Sequence, residues 1–105
     1  MSKSIFYCEY KLKKNVSETD FLDASKKLND NYISKQKGYI SWEQWNNGDT
    51  WVDILAFETM EEVKAFEENS AASPNELAIS FYSFINMPSC KVRYYSVGRA
   101  HGDAK

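Results

Sequence analysis

Asp53 is the residue whose chemistry is least expected from its surroundings, because it is a lone carboxylate inside the apolar segment WVDIL at 51–55. A charge in so apolar a strand carries a large desolvation cost unless it is paired. Opposite Trp42, the carboxylate could accept a hydrogen bond from the indole N–H and remain charged, which is a structural role. In a drier pocket its pKa would rise, and it could accept a proton from an acidic phenol. Both interpretations stay open.

Aromatic side chains suggest a second kind of chemistry, the binding of a flat apolar ligand. Trp42 and Trp51 lie on one hairpin and could form two walls of such a site, whereas Trp45 is expected at a dimer seam. Tyr7 and Tyr82 could donate phenolic hydrogen bonds to the ligand. Plain packing is the commoner role of each of these rings.

The two cysteines, Cys8 and Cys90, are candidates for thiol chemistry. A nucleophilic cysteine needs a neighbouring base or positive charge, and the one histidine, His101, lies near the C-terminus. We therefore expect Cys8 to behave as a small apolar side chain. Two thiols and one histidine are too few for a structural zinc site, so no metal is expected. The low cysteine count favours reduced thiols and a cytoplasmic location.

Length and composition exclude several classes of protein. With 105 residues the chain has the size of one domain, and 43% hydrophobic residues exclude a disordered protein. A net charge of −2 argues against general nucleic-acid binding, which needs an excess of Lys and Arg to neutralise phosphates. The sequence has no apolar stretch of membrane-spanning length and begins without a signal-peptide core. Neither nucleic acid nor a membrane is therefore an expected partner.

Three segments place a hydroxyl three residues before a carboxylate, which is the spacing of a helix N-terminus. They begin at Ser17, Thr59 and Ser73. The hydroxyl accepts a hydrogen bond from the third helical N–H, and the carboxylate is favourable at the positive end of the helix dipole. Pro74 strengthens the third signal, because a first-turn proline loses no helical hydrogen bond. The first helix is predicted to extend to about Gln36.

The middle of the chain is predicted to be a β-hairpin. Segments 39–45 and 50–57 flank Asn47 and Gly48, and Asn-Gly is a strong signal for a two-residue turn. A turn at these two residues places Trp42 opposite Asp53. One face then carries Ile40, Trp42, Gln44, Trp51, Asp53, Leu55 and Phe57, and the other carries Tyr39, Ser41, Glu43, Trp45, Val52, Ile54 and Ala56. Whether Asp53 faces a helix-side pocket or a dimer seam stays open.

The remaining segments complete an α+β fold. Residues 4–12 and 91–97 are predicted strands, and the second helix has Met60, Val63 and Phe66 on its inward face. The third helix is expected to include Ile85 in its apolar face. The order β-α-β-β-α-α-β is that of a ferredoxin-like sandwich, a four-stranded antiparallel sheet with its helices on one face. Residues 1–98 form this domain, and residues 99–105 are predicted to be a flexible C-terminal tail.

Both faces of the predicted sheet carry large apolar side chains, although the helices can cover only one face. Tyr39, Trp45, Val52 and Ile54 would leave an unusually large apolar patch in water. The same face of a second copy is the simplest cover. The sequence therefore predicts a homodimer joined through the sheet faces.

Four segments have a recognisable pattern. Gly38-Tyr39-Ile40 follows the first helix, Trp51-Val52-Asp53-Ile54 lies in the hairpin, residues 57–63 form the next strand-to-helix junction, and residues 80–86 belong to the third helix. Together they resemble the dimeric α/β-barrel superfamily, particularly its antibiotic-biosynthesis monooxygenase-like group. The resemblance covers about residues 4–97. It implies that two sheets close into a barrel across a dimer, with a pocket between sheet and helices in each subunit.

The resemblance also implies a class of function. Some members are oxygenases that act on polycyclic phenols or quinols without a metal or flavin, and others degrade haem. The haem-degrading members use an asparagine on the first strand, a tryptophan on the second helix and a histidine ligand on the next. Cys8, Phe66 and Glu76 lie near these three positions, which disfavours haem degradation.

The predicted function is therefore that of a cofactor-independent monooxygenase-like enzyme acting on a small phenol or quinol. Asp53 is the candidate catalytic residue, and no cofactor is expected. The candidate ligand-binding residues are Tyr7, Trp42, Trp51, Phe66 and Tyr82. The alternative is a non-catalytic homodimer that binds a small hydrophobic ligand.

Overall fold

A computed structural model describes residues 3–102, which form a four-stranded antiparallel sheet packed against three α-helices. The elements are β1 (Ser4–Leu12), α1 (Glu18–Asn31), a 3₁₀ helix (Ile33–Lys35), β2 (Tyr39–Asn47), β3 (Thr50–Phe57), α2 (Met60–Ala72), α3 (Glu76–Tyr82) and β4 (Ile85–Ser96). The strands lie in the order β2-β3-β1-β4. This is the ferredoxin-like α+β architecture that the sequence predicts.

The predicted C-terminal tail adds no helix or strand over its described residues. Residues 99–102 of the predicted tail belong to no helix or strand, and residues 103–105 lie outside the described residues. Over residues 3–102, none of the helices is long and apolar enough to cross a membrane.

Two of the three predicted helix starts are confirmed. At α1, the Ser17 hydroxyl accepts a hydrogen bond from the Asp20 N–H at 3.2 Å. At α2, Thr59 and Glu62 form a reciprocal capping box, in which each side chain accepts from the backbone N–H of the other. The helices therefore begin where the hydroxyl-to-carboxylate spacing indicates.

The third predicted start is wrong by two residues. The N–H of Ser73 still donates to the Asn69 carbonyl at 3.0 Å, so Ser73 ends α2 instead of starting α3. Asn75 caps α3, and its side chain accepts from the Leu77 N–H at 2.8 Å. Asparagine is as good a cap as serine. The first helix also ends earlier than predicted, at Asn31.

The predicted hairpin is present with a different turn. Asn47 pairs with Thr50, so the turn residues are Gly48 and Asp49, and Gly48 supplies the positive φ of +65° that such a turn needs. Trp42 consequently lies opposite Leu55, and Asp53 lies opposite Gln44. The register differs from the prediction by two residues. A shift of two leaves every side chain on its predicted face.

A bulge at the start of β2 reverses two of the face assignments. Tyr39 pairs with Phe57, while Ser41 pairs with Ala56, so the register changes by one residue between them. Tyr39 therefore packs against the core, and Ile40 is 36% exposed. The prediction had these two residues the other way round, because a regular alternation contains no extra residue.

β4 is longer than predicted and contains a large bulge. It begins at Ile85, which pairs with Leu12 and so belongs to the sheet and not to α3. The pairing is interrupted between Glu9–Lys91 and Lys11–Asn86, which leaves residues 87–90 opposite Tyr10. This segment includes Pro88, and proline is tolerated in sheets chiefly at edges and bulges.

The core lies between the sheet and the helices and is rich in aromatic rings. Phe21 of α1 is fully buried, stacks on Phe81 of α3 with centroids 5.4 Å apart, and meets the edge of Trp51 at 5.2 Å. The buried residues that pack together in this core include Tyr10, Phe21, Leu28, Ile33, Trp51, Leu55, Phe57, Val63, Phe81 and Ile85. These contacts hold α1 and α3 against the same face of the sheet that carries Asp53.

Gly38 lies in the turn before β2, in contact with the Glu62 side chain in the first turn of α2. We predict that Gly38→Ala is destabilising. Its φ is +83°, and an added Cβ would overlap the Glu62 carboxylate that caps α2. The left-handed backbone and the lost cap should each cost roughly 1 kcal/mol, about 2 kcal/mol together, measured by urea unfolding.

Gly48→Ala is the matched control, because Gly48 also has a positive φ but faces open space. Its free energy of unfolding should fall only by the cost of the left-handed backbone, about 1 kcal/mol. Equal losses in the two variants would show that the Glu62 contact does not stabilise the fold.

Candidate functional site

A cavity of about 220 Å³ lies between the sheet and the helices. Most of its wall is apolar, and the residues that form this part include Phe6, Leu28, Trp42, Leu55, Phe66, Phe81 and Ile85. Tyr82, Met87 and Val92 also line it and are 44–50% exposed. The cavity therefore opens to solvent between the end of α3 and β4.

Asp53 contributes a carboxylate to this apolar cavity. Strand alternation directs it to the helix side together with its buried neighbours Trp51 and Leu55, and Asp53 itself is only 7% exposed. The Tyr10 hydroxyl donates a hydrogen bond to its Oδ1 at 2.8 Å. Burial raises the pKa of Asp53 to about 7, although hydrogen bonding from Tyr10 and Trp42 opposes the rise. Asp53 can therefore exchange a proton near neutral pH.

Tyr10 remains a hydrogen-bond donor to Asp53 because its pKa is raised, chiefly by burial and then by the Asp53 charge. Gln44, directly opposite Asp53 on β2, donates to the Ser25 hydroxyl at 2.9 Å. Ser25 in turn donates to the Phe21 carbonyl at 2.8 Å. These polar contacts connect α1 to β2 beside the carboxylate.

Sequence reasoning did not identify Tyr10 or Gln44 as site residues. The signal that could have found Gln44 is its place on the same predicted face as Asp53. Tyr10 is separated from Asp53 by 43 residues, and the contact depends on the pairing of β1 with β3, in which Tyr10 lies opposite Trp51. Local patterns carry no information on that pairing.

Three of the five predicted ligand-binding residues line the cavity with Asp53, namely Trp42, Phe66 and Tyr82. Tyr7 does not, because it alternates to the other face of β1, where its hydroxyl donates to Glu9 at 3.1 Å and its ring meets the edge of Tyr95. Trp51 is on the helix side but is packed against Phe21 and lies outside the cavity wall.

The charged groups at the cavity are acidic. Glu67 is half-buried, lines the cavity and accepts a hydrogen bond from the Tyr94 hydroxyl. Within the described part of the chain, the cavity wall includes no Lys, Arg or His. Although the Tyr82 residue is half exposed, burial of its hydroxyl end raises the pKa of Tyr82 to about 12, so the phenol stays neutral. The cavity therefore favours a neutral, largely apolar ligand over an anion.

No family model matches the sequence, and no curated protein is significantly similar to it. Several solved structures nevertheless share the fold of this chain. SnoaB, a cofactor-independent oxygenase from Streptomyces nogalater, gives a TM-score of 0.74 at 8% identity, covering 98% of this chain and 100% of that chain.

Two further solved structures agree with this comparison. The monooxygenase of the gene ActVA-Orf6 from Streptomyces coelicolor, solved with the ligand Nanaomycin D, gives 0.69 at 12% identity, covering 98% of this chain and 94% of that chain. A candidate antibiotic biosynthesis monooxygenase from Nitrosomonas europaea gives 0.68 at 14% identity, covering 95% and 94% of the two chains. At these identities the likeness concerns the fold. The protein has the ferredoxin-like fold of the antibiotic-biosynthesis monooxygenase-like proteins.

Proposed function

We propose that this protein is a cofactor-independent monooxygenase that oxidises a small phenol or quinol in the cavity, with Asp53 as its general base. The observation that carries the proposal is a buried carboxylate whose pKa of about 7 lies near neutrality, inside an otherwise aromatic cavity. A base is most effective when its pKa is close to the working pH. The likeness to SnoaB and the ActVA-Orf6 protein supports the class of reaction.

The cavity limits the size of the substrate. Its volume of about 220 Å³ is below the range of roughly 300–1,000 Å³ common for drug-sized ligands. A 150 Å³ apolar cavity in another protein holds one benzene, so about 220 Å³ suits a substrate of one or two rings. Trp42, Phe66 and Phe81 would contact its faces and edges.

The reaction balances without a cofactor. Asp53 accepts the phenolic proton, and the resulting phenolate is electron-rich enough to reduce dioxygen directly. One oxygen atom of O₂ becomes the new carbonyl of a quinone, and the other leaves as water. The product is a quinone with two fewer hydrogens and one more oxygen than the phenol, so the substrate supplies all four electrons that reduce O₂.

We also propose that the protein is a homodimer joined through the sheet face opposite the helices. That face carries Ile5, Tyr7, Trp45, Val52, Ile54 and Tyr95, of which Trp45 and Tyr95 are 54% and 50% exposed. Glu9, Glu43 and Arg93 share this face, but large apolar side chains concentrated in this way on an exposed sheet face mark interaction surfaces. The same face of a second copy would cover it by two-fold symmetry.

Asp53→Asn should abolish turnover while preserving ligand binding. Asparagine keeps the shape and can still accept from Tyr10, but it cannot accept the substrate proton. We expect kcat to fall by roughly 10²–10⁴-fold, the usual contribution of a general base. The measurement is oxygen uptake with a panel of one- and two-ring phenols and quinols, with ¹⁸O₂ to confirm one labelled oxygen in the product.

Asp49→Asn is the matched control for this experiment, because it removes a fully exposed carboxylate from the same hairpin. It should leave kcat unchanged. Full activity in Asp53→Asn would rule out the base role. Tight binding of the panel without oxygen uptake by the wild type would favour the non-catalytic ligand-binding alternative.

The raised pKa of Asp53 also predicts a pH-dependent stability. An unfolded aspartate titrates near pH 4, whereas the folded one titrates near 7, so the folded state holds the proton more tightly. The stabilisation that Asp53 adds to the free energy of unfolding is therefore fully present below pH 4 and is lost as the pH rises through 7.

Comparing Asp53→Asn with the wild type separates the contribution of Asp53 to the pH dependence of stability from that of the other carboxylates. The unfolding free energy of Asp53→Asn minus that of the wild type should increase by roughly 3 kcal/mol between pH 5 and pH 8. Urea unfolding at both pH values and a fixed protein concentration measures it. Parallel pH profiles would mean that Asp53 is charged across this range.

The dimer is tested by a charge placed in the apolar face. Native mass spectrometry should show the wild type at about 24.4 kDa, twice the 12.2 kDa of the chain, and Ile54→Lys at 12.2 kDa. Ile79→Lys is the control, since Ile79 is 58% exposed on α3, away from that face. A wild-type monomer at micromolar concentration would overturn the proposed interface.

A further inference from the structure

Glu67 is a second carboxylate in the wall of the cavity, and the proposed oxidation does not use it. It belongs to α2, whereas Asp53 belongs to β3. Its Oε1 accepts a hydrogen bond from the Tyr94 hydroxyl. Within residues 3–102 the Glu67 side chain has no other hydrogen bond or ion pair, so its Oε2 can accept a hydrogen bond from a ligand.

Tyr94 holds the Glu67 carboxylate beside the cavity. Tyr94 pairs with Phe6 across the sheet, and the two rings project to the same face with their centroids 6.0 Å apart. Phe6 itself lines the cavity. The hydrogen bond to Glu67 raises the pKa of Tyr94 to about 12, so the Tyr94 hydroxyl remains a donor at neutral pH. A residue of β4 thus positions a carboxylate that belongs to α2.

The two carboxylates lie at different parts of the cavity wall. Asp53 pairs with Cys8 on β1, and Tyr94 pairs with Phe6 on the same strand. Because β1 lies between β3 and β4, the backbone positions of Asp53 and Tyr94 differ by two strands and two residues, about 12 Å in the plane of the sheet. The side chains of Cys8 and Phe6 line the cavity between these positions.

We propose that the substrate is a two-ring aromatic diol, with one hydroxyl bound by Asp53 and the other, on the far ring, bound by Glu67. The inference rests on the proposed function, because it assigns the reacting hydroxyl to Asp53. A carboxylate accepts hydrogen bonds and donates none, so Glu67 selects a ligand with a donor at that end. The wall between the two carboxylates is apolar and suits the ring system.

The chemistry of the oxidation places the second hydroxyl on the second ring. A C–H of the reacting ring becomes the new carbonyl of the quinone, so the carbon opposite the reacting hydroxyl must carry hydrogen. A second hydroxyl at the opposite end of the substrate therefore belongs to another ring. This hydroxyl is bound but unchanged, so the balance of atoms and electrons in the oxidation stays the same.

The test is the binding of two naphthols without oxygen, measured by isothermal titration calorimetry. We expect the wild type to bind 1,6-dihydroxynaphthalene about 10–100-fold more tightly than 6-methoxy-1-naphthol, the usual effect of a hydrogen bond to a charged group. The methoxy compound has nearly the same shape but cannot donate to Glu67. Glu67→Leu should abolish the preference, and Glu67→Gln should retain part of it because the amide oxygen still accepts. Tyr94→Phe should reduce it by leaving the carboxylate less well positioned.

Glu68→Leu is the matched control, since Glu68 is the next residue of α2 and is exposed, and it should keep the full preference. Circular dichroism confirms that each variant is folded. Equal affinity of the wild type for the two naphthols overturns the inference. A preference that survives Glu67→Leu overturns it as well, because a merely structural role of Glu67 would weaken both ligands alike.

The outcome is separable from that of the proposed oxidation, because binding is measured without turnover. A preference that depends on Glu67 in a protein that takes up no oxygen would refute the oxidation and support the diol site. Oxygen uptake that depends on Asp53, with no preference for the diol, would support the oxidation and overturn the role of Glu67.

Discussion

The hydrogen bond between Tyr10 and Asp53 allows a carboxylate to lie inside an aromatic core. Burying a bare charge would cost several kcal/mol, which a domain of this size could not absorb. The structure reduces this cost in two ways: Tyr10 donates to the carboxylate at 2.8 Å, and the carboxyl group itself holds its proton more tightly. Because Tyr10 is on β1 and Asp53 on β3, the bond also links the two central strands.

The second determinant of the site is the bulge in β4. A regular strand would continue the pairing from Lys91 and close the sheet directly over Tyr10. Instead, the ladder is interrupted at residues 87–90, and Met87 and Cys90 line the cavity. Pro88 disfavours a regular ladder at this point, because it lacks the backbone N–H that such a ladder would use. Cavity shape is thus set by a backbone feature and not only by side-chain size.

The architecture and the faces of the hairpin could be predicted because they depend on local patterns. Capping residues located α1 and α2, and an error of two residues in the hairpin register left Trp42 and Asp53 on the same face. Asp53 was found because its type conflicts with its neighbours. Features that depend on bulges were not predicted: Tyr39 and Ile40 exchange faces at the bulge in β2, and pairing resumes beyond the bulge in β4, so that strand begins at Ile85.

Tyr7 illustrates a different limit of the sequence. Both faces of β1 carry large apolar groups, so alternation divides its residues into two sets without indicating which set meets the helices. Tyr7 belongs to the outer set, whereas Phe6, Cys8 and Tyr10 belong to the inner one. The assignment follows only when the helices are in place, and α1 and α3 are held there by long-range contacts of Phe21 and Phe81.

The electrostatics of the cavity favour proton transfer inside it. Asp53 and Cys8 each hold a proton more tightly than they would in water, and the Asp53 charge raises the pKa of Cys8 further. The cavity therefore resists the accumulation of negative charge. A bound phenol can become a phenolate only if its proton stays on Asp53, which favours transfer within the cavity over release to solvent.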